Sequence, residues 1–216
     1  MKKVFTLFAL LLLSPFVSAG FDEGIEYQTL ASPQPTVNED RIEVLELFWY
    51  GCPHCYHLEP LIHAWLEKKP DDVVFVRVPA VLGPSWELLA RAFYTAELLG
   101  VMDKIHPSLF ERIHKDRKPV RSVADVKKLF MAQGVSEQDF DNTYKSFAVI
   151  TKTNRAKQAA RLYGIKGVPT LVVNGKYRTG AQMAGGNKEI LDVVDFLVQK
   201  ERDAKTGTAQ AEKQPQ

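Results

Sequence analysis

Cysteine is nearly absent from this sequence. The 216 residues contain two, Cys52 and Cys55, which excludes a framework of several spaced bridges. A bridge closing so short a loop constrains the unfolded chain little, so the pair is a poor staple and chemistry explains it better. A second pair, from which a structural zinc site would draw its remaining ligands, is missing. His54 or His57 could still join the two cysteines around a metal ion. Covalent haem attachment needs a histidine directly after the second cysteine, and position 56 is Tyr. An excess of one charge is also lacking. Without Lys2 and Lys3, the 28 basic residues fall to 26, equal to the 26 acidic ones, so no nucleic acid or anionic membrane partner is expected. The longest apolar stretch, from Val4 to Val17, is shorter than the ~20 residues needed to cross roughly 30 Å of hydrocarbon. Internal repeats are absent.

What that stretch does resemble is the core of a secretory signal over residues 1–19. Lys2 and Lys3 supply the positive start, and Val17-Ser18-Ala19 supplies small residues for cleavage near Ala19. No cysteine precedes Cys52, so a lipid-modified new N-terminus is not expected. The remainder is long enough for one large domain or a domain carrying an insertion.

Residues from Gly24 to Leu30 predict a short strand, broken by Ser32-Pro33-Gln34-Pro35. Ile42 to Trp49 is a nearly continuous apolar run, the pattern of a strand covered on both faces. A helix is expected from Pro53 to Lys68. Pro53 suits the first helical position, and Pro60 removes the bond to the Tyr56 carbonyl, so a kink is expected there. Val73 to Val78 predicts a second strand, completing a parallel βαβ unit with a right-handed crossover. From Trp86 to about Ala148 the periodicity is helical throughout. Ser122 with Asp125 and Ser136 with Asp139 mark helix starts, and one long helix is expected from Asp141 to Tyr163. Strands return at Thr170–Val173 and Lys176–Thr179 around Asn174-Gly175, a strong hairpin signal. Gly180 to Gly186 reads as a flexible loop. Asn187 should cap a last helix over 188–202, and residues 203–216, poor in large apolar side chains, should be disordered.

The fold class is therefore α/β. The division is 1–19 signal peptide, 20–84 first part of the α/β domain, 85–149 inserted helical subdomain, 150–202 second part, and 203–216 tail. A strand–turn–helix carrying Cys52-Pro53-His54-Cys55, followed much later by Gly167-Val168-Pro169-Thr170 and a hairpin, resembles the thioredoxin fold. The Pro-His pair between the cysteines, the helical insertion, Glu46-Leu47-Phe48-Trp49 and Val173-Asn174-Gly175-Lys176-Tyr177 are similar to the DsbA family of periplasmic dithiol oxidases. The resemblance covers essentially the whole chain after the leader. It implies a protein that introduces disulfides into newly exported, reduced polypeptides by thiol–disulfide exchange and that needs no cofactor. It also implies a quinone-linked membrane partner, DsbB, as reoxidant. A monomer is expected. The alternatives are a reductase or isomerase on the same fold, a peptide-binding module, or a periplasmic metal-binding protein.

Each site residue has a physical reading beside that resemblance. Cys52 falls at a helix N-terminus, where free amides and the helix dipole favour an anion, so its thiol should be acidic. Cys55, one turn in, should be buried and act as the resolving thiol, whereas Cys52 should be exposed. His54 could offer a donor or positive charge to Cys52. His57 and His63 read as ordinary surface histidines. Glu46 sits within an apolar strand, where an unpaired charge is costly, and Arg77 on the neighbouring strand is its expected partner. The resemblance implies that such a buried pair tunes the inner cysteine and carries its proton. Arginine does not deprotonate, so a relay here would rest on Glu46. Pro169 should be cis, facing the cysteines and leaving the Val168 backbone free to bond an extended client.

Overall fold

A computed structural model describes residues 20–211; the expected signal segment lies outside the described residues. Strands β1 (Gln28–Thr29), β2 (Ile42–Phe48), β3 (Val73–Pro79), β4 (Thr170–Val173) and β5 (Tyr177–Gly180) form one sheet in the order β1-β5-β4-β2-β3. Every residue of β2 is buried, as its continuous apolar pattern requires. It pairs in parallel with β3, Glu46 opposite Arg77, and antiparallel with β4, Glu46 opposite Leu171. The expected strand over 24–30 shrinks to two residues paired with β5. Asn174 and Gly175 both take positive φ, 50° and 63°, as a two-residue hairpin turn demands. A Cβ on Gly175 would lie 2.1 Å from the Gln34 carbonyl oxygen, so glycine is required there.

Helix α1 (Pro53–Leu66) joins β2 to β3 and continues through Pro60. Between β3 and β4 lie five helices: α2 (Pro84–Leu98), α3 (Met102–Phe110), α4 (Val123–Ala132), α5 (Glu137–Tyr144) and α6 (Phe147–Leu162). A π-helical turn, Glu111–Lys115, extends α3. Ser122 and Asp125 form the expected capping box on α4, and the Ser136 side chain accepts from the Asp139 amide to start α5. The single helix expected over 141–163 is instead two. Ser146 leaves helical geometry (ψ 151°) and its side chain accepts from the Val149 amide, capping a fresh helix. Phe147 is the first residue of that helix and 83% exposed. The subdomain boundary expected at 149–150 falls inside α6.

Two further expectations need correction near the C-terminus. Residues 180–186 are not a simple loop but contain a short helix, α7 (Ala181–Ala184), closed by Gly185 in the left-handed region. The last helix, α8 (Glu189–Ala211), does not stop near Arg202 and the expected disorder does not begin at residue 203. Arg202 is held by Asp72, Nε and Nη2 donating to both carboxylate oxygens at 2.8 and 2.7 Å, and Lys205 donates to the Glu39 carbonyl. The chain therefore meets β-domain partners just where composition alone suggested fraying.

The apolar interior has two main bodies. One lies between the sheet and α1/α8, built from Val44, Leu58, Ile62, Leu171, Val194 and Leu197. The other lies between the end of β2 and the helical insertion, where Phe48, Tyr50, Phe93, Phe110, Phe130 and Phe140 meet. Cys52 and Cys55 belong to that second body. No helix among the described residues is long and apolar enough to cross a membrane.

Candidate active site

Cys52 is the residue that caps α1: its backbone is extended (φ −90°, ψ 118°), Pro53 follows at the first helical position, and no side-chain oxygen fills the cap. The sulfur lies beside the first turn without closing a cap hydrogen bond of its own. Cys55 hydrogen-bonds to it with its thiol, and the amides of Cys55 and His54 add to the effect. Together they bring the Cys52 thiol down to about 6 from an ordinary value of 9.0, against the opposing effect of partial burial, with a smaller contribution from the charge of His54. His54 thus acts first through its backbone and only then through its ring. Cys55 is pushed strongly the other way, by burial first and then by its bond to Cys52 and the charges of Cys52 and Glu46. Both cysteines are reduced. The expected contrast in exposure is smaller than anticipated, since Cys52 is 8% exposed and Cys55 fully buried. Chemical contrast comes from hydrogen bonding and burial rather than from an open outer sulfur.

Beneath the cysteines lies a chain of buried charge. Arg77 Nε donates to Glu46 at 3.1 Å, as the strand register required, and Arg77 Nη2 donates to Glu59 on α1 at 3.0 Å. His106 Nε2 of α3 stands 3.3 Å from the same Glu59 oxygen, and Tyr50 bonds His106 Nδ1 at 2.8 Å. One guanidinium between two acids leaves one acid in excess. Burial raises Glu46 to about 8 despite Arg77, whereas His106 and Arg77 outweigh burial at Glu59 and hold it below its usual value. The balance thus favours charge on Glu59 and a proton on Glu46. Glu46 Oε1 has no hydrogen-bond partner among the described residues. Burial lowers His106 against the opposing pull of Glu59, and its Nδ1 shares a 2.8 Å hydrogen bond with the Tyr50 hydroxyl.

The Val168–Pro169 bond is cis, and its loop faces the cap. The Val168 carbonyl, expected to be free, accepts from the Cys52 thiol at 3.3 Å. A thiolate or a disulfide has no proton to donate, so that carbonyl becomes available when Cys52 ionises or is bridged. His57 and His63 are exposed on α1, as expected of surface residues. Asn187, read as a helix cap, instead donates to the His54 carbonyl at 3.0 Å and ties the first turn of α1 to the approach to α8. Gly51 is required by close packing, because a Cβ there would lie 2.4 Å from the Trp49 ring. Trp49 in turn stacks on Trp86 at 4.3 Å. Among the described residues no group of three or more His, Cys, Asp or Glu is arranged to hold a metal ion.

Residues 43–197 match the family model described as a DSBA-like thioredoxin domain. The chain belongs to the DsbA family. It is 45% identical over 184 residues to the thiol:disulfide interchange protein DsbA of Pseudomonas aeruginosa, covering 85% of this chain and 87% of that one. The corresponding protein of Burkholderia cepacia is 36% identical over 95% of this chain and its own full length. Among solved structures, that of Pseudomonas aeruginosa DsbA superposes with a TM-score of 0.82, covering 86% of this chain and 97% of the other. The fold is thus thioredoxin-like with a helical insertion, and the protein is a thiol–disulfide oxidoreductase.

Three members of the site escaped the sequence reading. Glu59 carries no local signal, but its place seven residues after Cys52 puts it on the side of α1 that meets Arg77 of β3. His106 sits between Ile105 and Pro107 in Met102–Phe110 with no chemical motif around it, and only the tertiary fold brings its ring against Phe48, Tyr50, Phe93 and Phe110. His114 is delivered by the π-helical turn, where its Nε2 bonds the Tyr50 carbonyl at 2.8 Å and its ring stacks on Tyr56. Such turns re-aim side chains and often mark functional positions, but they leave no periodicity to read.

Proposed function

We propose that this protein donates its Cys52–Cys55 disulfide to reduced, newly exported polypeptides in the periplasm, with Cys52 as the attacked sulfur. The observation that carries this is the Cys52 sulfur beside the first turn of α1, its thiol brought down to about 6 while Cys55 is driven up. A client thiolate attacks the Cys52 sulfur of the bridge, and the Cys52–Cys55 bond breaks. Cys55 leaves as a poor anion and must be protonated, for which Glu46 is the buried source. The second client thiol then attacks the client sulfur, and Cys52 departs as a stable thiolate. The client loses two electrons and gains one disulfide, and the protein is left with a Cys55 thiol and a Cys52 thiolate.

Pro53 and His54 shape the cap, Arg77 keeps the buried acids near neutrality, and Val168 with Pro169 offers the client a backbone carbonyl. The signal segment 1–19 directs export. A quinone-linked membrane protein of the DsbB kind reoxidises the pair, and the protein works as a monomer. Oxidised protein mixed with a reduced two-cysteine peptide should yield oxidised peptide and reduced protein in equal amounts. Cys52→Ser should abolish the reaction, and a variant lacking Cys52 that still oxidised the peptide would overturn the assignment. Cys55→Ser, which cannot hold the bridge, should instead attack the oxidised form of the peptide through Cys52 and trap a mixed disulfide there, releasing the other peptide sulfur as a thiol and visible by mass.

A further inference from the structure

Two cavities flank the loop over residues 164–169. One, of about 700 Å³, lies toward His54 and β5. The other, of about 660 Å³, lies between the start of α2 and the end of α6. Charge around them is lopsided in a chain that is otherwise balanced. Lys166 lines both, Arg178 the first, and Lys157 and Arg161 the second; the sole carboxylate is Glu87. Arg178 spends its hydrogen bonds on neutral groups, the Gln28 amide oxygen and the Tyr163 and Gly164 carbonyls, so its charge is uncancelled. Lys157, Arg161 and Lys166 are exposed and make no ion pair among the described residues. Nor are these cations needed for the Cys52 anion, whose main supports are Cys55 and His54.

We propose that the four cations form a specificity surface selecting client segments with acidic side chains near the reactive cysteine. The inference rests on the client site read above at Cys52 and Val168. A client strand lying along the Val168 carbonyl turns its cysteine down onto Cys52. Side chains two positions away in either direction share that face, roughly 7 Å off, and so point toward the two cavities. Aspartate or glutamate there meets Lys166 and Arg178 on one side, or Lys157, Arg161 and Lys166 on the other; lysine there meets like charge. Surfaces of this kind act through encounter rate and are screened by salt.

The test uses the full-length oxidised protein and reduced two-cysteine peptides carrying Glu, Gln or Lys two positions either side of the first cysteine. Each peptide's oxidation rate is divided by its rate with a small neutral disulfide, which removes differences in its own thiol acidity. At low ionic strength the Glu peptide should react about tenfold faster than the Lys peptide, with Gln between them. High salt should bring the ratio toward one, and the Lys157→Glu/Arg161→Glu/Lys166→Glu variant should abolish or invert it. Equal rates for the Glu and Lys peptides, or a ratio that survives the triple substitution, would overturn the inference while leaving the exchange reaction standing. Failure to oxidise any peptide would instead remove the functional reading beneath it.

Discussion

A single sulfur at the start of α1 sets the chemistry of this protein. The reduced form owes stability to the Cys52 thiolate. Its pKa is near 6 when folded and should rise to that of an ordinary thiol when unfolded. That stabilisation is complete above the unfolded value and vanishes as pH falls through 6. Reduced protein should therefore be more stable than oxidised by about 2 kcal/mol near pH ~7.5, the margin widening as pH rises to ~9. Denaturant midpoints of the two forms across that range check this, and ultraviolet absorbance of the thiolate should show the titration near 6 directly. Glu46 has the opposite sign. Its raised value removes stability as pH climbs from the ordinary carboxylate range toward 8, because the folded site resists ionisation. Glu46→Gln should thus stabilise the protein near neutrality by on the order of 2 kcal/mol and flatten its pH profile. It should also slow the release of Cys55 during exchange. Arg77→Leu is the contrasting change. It leaves Glu59 charged and without its cation, and should cost roughly 3–5 kcal/mol. Glu46 and Arg77 were legible because a carboxylate and a guanidinium each interrupted an apolar strand. Their extension to Glu59 and His106 was not, since a single polar residue on a helix gives no sign of which tertiary surface it meets.

At the scale of elements, the readable features were those encoded in local chemistry. Pro53 at a helix start, Asn174-Gly175 at a hairpin, and the Ser122–Asp125 box all behave as their residue types dictate. The misread ones were decided by competition between weak local signals and packing. Ser146 carries the information that splits α5 from α6, but its neighbours Tyr144 and Ala148 keep helical spacing across the break, so periodicity masks it. Ser146→Ala should remove the cap on the Val149 amide and cost about 1 kcal/mol, measured as a lowered thermal midpoint with exchange activity retained. The far end of α8 was misjudged for the converse reason. Its composition is polar, yet Arg202 and Lys205 find partners in Asp72 and the Glu39 carbonyl. Gly51→Ala, by pushing on the Trp49 ring, should loosen its stack on Trp86 and shift the intrinsic tryptophan emission.

Across the whole molecule, the helical insertion is a working part of the centre. Phe110 packs against Tyr50, Tyr56 and His106, and the cluster it joins contains both cysteines. Phe110→Ala should destabilise by about 3–5 kcal/mol. By admitting water near Cys55 it should also bring the two thiols' acidities closer together. A variant equally destabilised by an α8 truncation such as Leu197→Ala should leave that gap intact, and thiol titration of both separates the two effects. The α/β class and the insertion were evident from alternating periodicities, but the joint burial of sulfurs and insertion rings was not, because it arises between segments far apart in the chain.

The aromatic ceiling contributed by the insertion has an engineering corollary. A pared-down scaffold keeping only the sheet, α1 and α8 would preserve the Cys-Pro-His-Cys segment but leave its inner sulfur wet. Wetting would make the inner thiol more acidic while the outer one kept its supports, narrowing the asymmetry that decides which one carries cargo. Miniaturised oxidants derived from this fold would consequently have to transplant that ceiling along with the four-residue motif.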